Sequence, residues 1–485
     1  MIRFLKKPRL SPDTVALLLL LGLCLVANSM YLHRVPGLLG DEGSEGENVF
    51  NILDTKKLTV VGERSYIGPL IDYVRIPAVL LVGFNALSLR LIMLLATLVM
   101  FIVAASVLRK LFGTSASLYI LTFLFFSPIY LLYQRLGWAI TLIPLGIILM
   151  LWTWQQAWHK RSLVVGLLGG LSLSNHFIFL PSLVAVAAPF ALGTLLKPHQ
   201  AKQWLLAGVG FWAMFGTQFA VLSLAPEDQG DPSEVVSSVG ERLAQLPTVL
   251  PGLLSGSAYS ALYTGEPFPA LSITLITVSL ALLASLALLL SERRRYVLVW
   301  VLCTILQLVV LNLIIDRFAV RYFVIAVLST WALAGYGFYA IIKRVAPSSV
   351  RLHGVLPVLI ALGFITAAGV TTLQPYLKTG GSTAPVVLTP QRSEQAAAFV
   401  ALDPLLACVR GAGPVFAEDI HIYNRLYYLQ HSLNDLVVPL ESSTARWLVA
   451  YREPQEMSPR ADERCPDLAH FRVTPYVTTP DSIEE

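Results

Sequence analysis

Long apolar runs separated by short polar stretches dominate the chain. The runs cover residues 14–32, 86–108, 114–133, 138–158, 162–174, 177–196, 203–224, 269–290, 296–315, 322–342 and 354–373. About 20 apolar residues in a helix cross the hydrocarbon of a bilayer, so the pattern predicts some eleven transmembrane helices. Residues 162–196 read as two helices because Ser172-Leu173-Ser174-Asn175-His176 and Pro181 interrupt them. Gly166, Gly169 and Gly170 on the first of these predict close helix packing. The run at 76–85 is too short to span and predicts an interfacial helix. The first run follows Arg3, Lys6, Lys7 and Arg9 and resembles a signal peptide, but it has no clear small-x-small cleavage site and further spans follow. It predicts an uncleaved first helix.

Two long polar segments interrupt this series, at 33–75 and 225–268. The second has Pro and Gly punctuation around an amphipathic middle, the pattern of a lid or substrate-binding helix. Residues 374–485 differ in character. Short β-rich runs at 385–388, 414–417, 436–440 and 446–451 alternate with helical patterns at 391–402 and 420–430. They predict a small α/β domain, with a Pro- and acid-rich tail of poor order over its last thirty or so residues. Two units follow: a membrane domain over 1–373 and a C-terminal domain over 374–485.

Of the 485 residues, 55% are hydrophobic and 13% charged, about half the charged share of a soluble domain. The net charge of +5 is therefore no sign of nucleic-acid binding; it arises from loop asymmetry. With the N-terminus taken as cytoplasmic, loops on that side carry Arg109, Lys110, Lys160, Arg161, Lys197, Lys202, Arg293, Arg294, Arg295, Lys343, Arg344 and Arg351 besides the N-terminal cations, and only Asp13 and Glu292 as acids. Acids outnumber bases in the opposite loops. That bias predicts a multi-pass plasma (inner) membrane protein with a cytoplasmic N-terminus and an extracytoplasmic C-terminal domain. Cys24 and Cys303 fall in apolar runs, whereas Cys408 and Cys465 lie in the outer part, where a disulfide and two free thiols both remain open.

This topology gathers the polar interruptions on one outer rim: Asp41, Glu42 and Glu47 after the first span, Arg135, Asn175 with His176, and Asp316, Arg317 and Arg321. A carboxylate can serve there as a general base for a hydroxyl, and an arginine fork matches the oxygens of a departing phosphate. No Gly-rich nucleotide-binding loop and no Asp-x-Asp pair is present, so a lipid-linked substrate suits the site better than a nucleotide. Structural roles stand beside each assignment. Arg317 and Arg321 can pair with Asp316, Arg135 can snorkel to the interface, His176 can bond a neighbour, and Tyr66, Tyr73, Trp138 and Tyr322 fit an aromatic belt. Glu45 reads as a solvated charge.

Asp41-Glu42-x-x-x-x-Glu47 after a first span resembles the start of the first outer loop in the polytopic GT-C glycosyltransferases, particularly the aminoarabinose lipid A transferases and protein O-mannosyltransferase relatives. Leu87-Ser88-Leu89-Arg90-Leu91, Ser127-Pro128, Tyr133-Gln134-Arg135 and Arg321-Tyr322 extend the resemblance. It implies an all-α polytopic fold of GT-C type with a small outer domain. It also implies inverting transfer of a sugar from a polyprenyl-phosphate carrier to a hydroxyl of a glycan, lipid or protein acceptor. Carried over, Asp41 is the base, Glu42 and Glu47 support it, and Arg321, with Arg135, Arg317 and Tyr322, meets the carrier phosphate. One departure is Ile67-Gly68-Pro69-Leu70 where many relatives carry His-Pro-Pro or Lys-Pro-Pro, which leaves the acceptor side open. For cofactors two readings stay open: the clustered carboxylates Asp41, Glu42 and Glu47 are oxygen donors that a divalent cation would accept, and they also make sense without one. A transporter or flippase of lipid-linked glycans, or a non-catalytic binder of them, is the competing reading; nearly charge-free spans and the lack of an internal repeat weigh against transport.

Overall fold

The computed structural model describes residues 11–33, 40–59, 62, 67–157, 160–195, 201–224, 238–258, 268–314, 320–347, 349–374, 405, 408–409, 415–417, 447–451, 465 and 471–475. Among the described residues every apolar run of the sequence contains helix. In chain order the helices are α1 (Pro12–Ser29), α2 (Gly40–Thr55), α3 (Leu70–Val82), α4 (Ala86–Phe112), α5 (Thr114–Phe125), α6 (Pro128–Tyr133), α7 (Ile143–Trp154), α8 (Arg161–Asn175), α9 (Leu180–Leu195) and α10 (Ala201–Leu224). They continue with α11 (Val239–Ser255), α12 (Ala270–Leu290), α13 (Arg294–Ile314), α14 (Val324–Val345) and α15 (Val350–Ala368).

Among the described residues, six helical segments are long and apolar enough to cross a membrane: α1, α4, α12, α13, α14 and residues 352–371. Shorter apolar helical segments cover 114–125, 139–154 and 177–188. Helix α12 presents Leu271, Leu275, Val278, Leu282 and Leu289 outward. An apolar face with nothing packed on it is stable in lipid and not in water.

Local signals explain most boundaries. Asn85 and Ser88 form a capping box at the start of α4, and Gly113, at φ 89°, ends it. The run at 114–133 breaks after Phe125 because Ser127 caps the next turn through the Tyr130 amide and Pro128 opens α6. The expected break near 172–177 is present: α8 stops at Asn175 and a 3₁₀ turn, Phe177–Phe179, leads into α9. The amphipathic middle of 225–268 is α11, opened by a Ser238–Glu241 capping box and closed by Gly256 at φ 83°. Against α10, Gly166 and Gly170 of α8 sit so close to the carbonyls of Ala207 and Phe211 that a Cβ at either position would collide. Gly169 instead faces the side chains of Leu183 and Met150.

Two expectations need correction. The acidic stretch after α1 is a helix, α2, and not an open loop. The short run at 76–85 belongs to a helix that starts earlier, at Leu70, and ends at Gly83.

In the C-terminal part, β1 (Val415–Ala417), β2 (Trp447–Tyr451) and β3 (Phe471–Pro475) form a sheet of order β1-β2-β3. β1 pairs parallel with β2, Val415 opposite Trp447, and β3 pairs antiparallel, Val473 opposite Val449. β1 and β2 occupy two of the expected runs. β3 lies in the tail expected to lack order, and its Val473 is buried. The expected runs at 385–388 and 436–440 and the helical patterns at 391–402 and 420–430 lie outside the described residues. Cys408 and Cys465 form a disulfide. Cys24 and Cys303 are free, the first buried and the second half-buried.

Candidate functional site

Helix α2 is an improbable helix by composition. Gly43 and Gly46 each weaken it by about 1 kcal/mol relative to alanine. Contacts outside the helix hold it. Glu42 and Glu45 stand three residues apart and so share a face, and each meets a buried arginine. Glu42 accepts two hydrogen bonds from Arg90 of α4, at 2.8 Å from Nε and 2.6 Å from Nη2, and both side chains are fully buried. Its Oε1 also accepts the Gly137 amide at 2.5 Å. Arg90 reaches further, to the Leu32 carbonyl beyond the end of α1, at 3.1 Å.

Glu45 forms the second pair. Arg75 of α3 lies 2.8 Å from its Oε2, and the Ala139 amide is 3.2 Å from both oxygens. Arg75 also donates to the Gly137 carbonyl and stands 3.6 Å from Asp72. Asp72 accepts from Asn48 of α2 at 2.7 Å. The two carboxylates of α2 thus grip backbone amides two residues apart in the turn between α6 and α7. Asn175, at the end of α8, donates to the Ala139 carbonyl of that turn at 2.9 Å, and its own carbonyl accepts from Gly68 at 3.3 Å.

One guanidinium, Arg75, serves two carboxylates, and the balance shows in their acidity. Burial pushes the Glu45 carboxyl up to about 7, against the pull of Arg75 and with a further rise from Asp72. Burial likewise raises Asp72 to about 6, while Arg75 and the Asn48 hydrogen bond oppose it.

The expected solvated Glu45 is therefore corrected: it is 5% exposed and lies within the network. Arg75 and Asp72 were not singled out by the sequence, and Arg90 entered only as part of a short motif. The available signal was isolation. Arg90 stands in the first turn of an apolar helix and Arg75 between Val74 and Ile76, and a buried guanidinium requires a counter-charge.

The other expected site residues fall as follows. Asp41 is helical, at the start of α2, and its side chain lies outside the described residues. Glu42, expected to support it, is bound to Arg90 and Gly137. Glu47 is half-buried and pairs with no charged group among the described residues; burial raises its pKa. Arg135 is 6% exposed and donates to the Met30 carbonyl at the end of α1, so it turns inward and does not snorkel. His176 accepts the Ile178 amide through Nδ1 at 3.1 Å and caps the 3₁₀ turn. Arg317 and the side chain of Arg321 lie outside the described residues; Arg321 belongs to the 3₁₀ turn Val320–Phe323 that opens α14. Tyr322 of that turn lines a crevice of about 10 Å³, room for about one water, together with Tyr133, Ile140, Ser182 and Gln307. Gln307 donates to Ser182 across its wall at 2.8 Å.

The Asp41 carboxylate, the first of the donors considered for a divalent cation, lies outside the described residues. Among the described residues no group of three His, Cys, Asp or Glu side chains converges, and the buried carboxylates are already paired with arginine.

No family model matches the chain, and no curated protein matches it in sequence. Solved structures do match. ArnT from Cupriavidus metallidurans bound to undecaprenyl phosphate is 14% identical, with a TM-score of 0.56 over 95% of this chain and 98% of that one. The apo state of the same protein gives 14% identity and a TM-score of 0.55 over 95% and 97%. The chain has the polytopic membrane fold of ArnT over nearly its whole length.

Proposed function

We propose that the protein is an inverting glycosyltransferase of the GT-C class that moves a sugar from a polyprenyl-phosphate carrier to an acceptor hydroxyl at the outer face of the inner membrane. The observation that carries this reading is the match over 95% of the chain to ArnT, whose structure holds undecaprenyl phosphate. The Asp41-Glu42-x-x-x-x-Glu47 pattern at the start of α2 supports it at the level of residues.

In this reading the Asp41 carboxylate takes the proton of the acceptor hydroxyl as that oxygen attacks the anomeric carbon. The bond from that carbon to the phosphate oxygen breaks on the opposite side, and polyprenyl phosphate leaves with the electron pair. Glu47, a half-buried carboxylate without a described ionic partner, supports the base. Arg321, with Arg135, Arg317 and Tyr322, meets the carrier phosphate; a guanidinium fork suits its oxygens. Glu42 has a different task from the one the motif implies: it fixes α2 to α4 and to the turn at Gly137.

The charge bias of the loops supports a cytoplasmic N-terminus. The Cys408–Cys465 disulfide supports an oxidising, extracytoplasmic side for the C-terminal domain.

The test is Asp41→Asn. With membrane-extracted polyprenyl-phosphate sugars as donors, transfer falls by about 10²–10⁴-fold, the range for loss of a general base, while the protein stays folded. Transfer at the wild-type rate refutes the assignment. A polyprenyl-phosphate species retained by the purified protein, read by mass spectrometry, supports the donor class independently of the acceptor.

A further inference from the structure

At the end of the bundle away from α2, a trough of about 610 Å³ opens between α1 and α4. Its floor is buried, with Phe101 at 1% and Ala105 at 4% exposure, and half-buried Leu17 and Leu21 join it. Leu18 and Ile102 stand up as its walls, 54% and 57% exposed. At one end the lining turns polar: Ser106, Thr114, and the exposed Arg109 and Lys110 in the last turn of α4. Among the described residues no acidic side chain lines it. The sequence places four further cations, Arg3, Lys6, Lys7 and Arg9, just before α1.

A flat apolar face is covered by any lipid tail. A trough with a floor, two walls and a cationic end selects one kind of molecule, a chain of hydrocarbon length that carries a phosphate at the membrane boundary. We propose that an anionic phospholipid docks between α1 and α4, its acyl chain on Phe101 and Ala105 and its phosphate on Arg109 and Lys110. The hydroxyl of Thr114 completes the polar end. The occupant belongs to whichever leaflet meets the C-terminal end of α4, so the inference does not rest on the transferase reading.

Arg109 and Lys110 also suit the negative end of the α4 dipole, and that role alone gives no preference among lipids. The experiment separates the two. The full chain, purified in detergent, is titrated with phosphatidylglycerol or with phosphatidylcholine of the same acyl chains, and bound lipid is counted by native mass spectrometry. One phosphatidylglycerol per chain is expected. Its affinity falls about thirtyfold in the Arg109→Gln/Lys110→Gln variant, since each cation near an anionic surface contributes roughly fivefold. Ser106→Phe, which narrows the trough and leaves both cations, also loses the lipid. Equal retention of the two lipids overturns the site, as does phosphatidylglycerol binding unchanged by either variant. Transfer activity decides nothing here, so failure of this site and failure of the glycosyltransferase reading are told apart.

Discussion

Arg90→Leu tests the network that holds α2. In the native protein Arg90 and Glu42 are both fully buried and joined by two hydrogen bonds of 2.8 and 2.6 Å. Removal of the guanidinium takes the charged partner from a buried carboxylate, which keeps the Gly137 amide, and removes a donor from the Leu32 carbonyl. Breaking a buried pair from one side costs about 3–5 kcal/mol. Set against a total stability of about 5–15 kcal/mol, that is a large fraction. Equilibrium unfolding in mixed micelles, followed by tryptophan fluorescence, measures it. The informative comparison is the double variant Glu42→Gln/Arg90→Leu. Glutamine can still accept the Gly137 amide but brings no charge, so the double variant is more stable than the sum of the two single losses by about 0.5–3 kcal/mol. An Arg90→Leu protein with the wild-type midpoint, or strictly additive losses, refutes the argument.

Other outcomes follow from the same geometry. Glu45 titrates near 4.5 when unfolded and at about 7 in the fold, so the native state holds the extra proton between these values and stability declines as pH rises from about 4.5 to 7. Glu45→Gln flattens the stability profile over that window; an unchanged slope sinks the account in which burial raises the Glu45 carboxyl. Asp72, shifted from 3.8 to about 6, adds a smaller decline at lower pH, and Asp72→Asn removes it. Gly166→Val drives a branched side chain into the Ala207 carbonyl on α10 and lowers the thermal midpoint by the equivalent of at least about 1–3 kcal/mol, whereas the same change at Gly208, which has open space, is mild.

The apolar runs were legible because apolar length is a local property: each contains helix, although only six helical segments among the described residues are long and apolar enough to cross a membrane. The break at Ser127-Pro128 was missed within the run 114–133 because a cap and a proline in an apolar run do not alter its hydropathy. The site was legible in part. Within the acidic run one charge was misread: Glu45 read as solvated, although its partner is Arg75, thirty residues later on α3. No periodicity within 40–55 carries that fact. Glu42 was assigned to chemistry by its neighbour in the motif, and its burial against Arg90 depends on a helix forty-eight residues away. Strand β3 was lost because a tail rich in Pro and acids reads as disordered, while its pairing with β2 is non-local.

The glycine-rich composition of α2 has a consequence for the order of assembly. A helix so weak by itself cannot persist until its partners exist, and Arg75, Arg90, Gly137 and Ala139 all follow it in the chain. Synthesis runs from the N-terminus, so the segment that bears Asp41 emerges early and waits as an unstructured stretch while α3, α4 and the turn after α6 are made and packed. The candidate catalytic helix is among the first parts of the protein to be synthesised and among the last to acquire its shape.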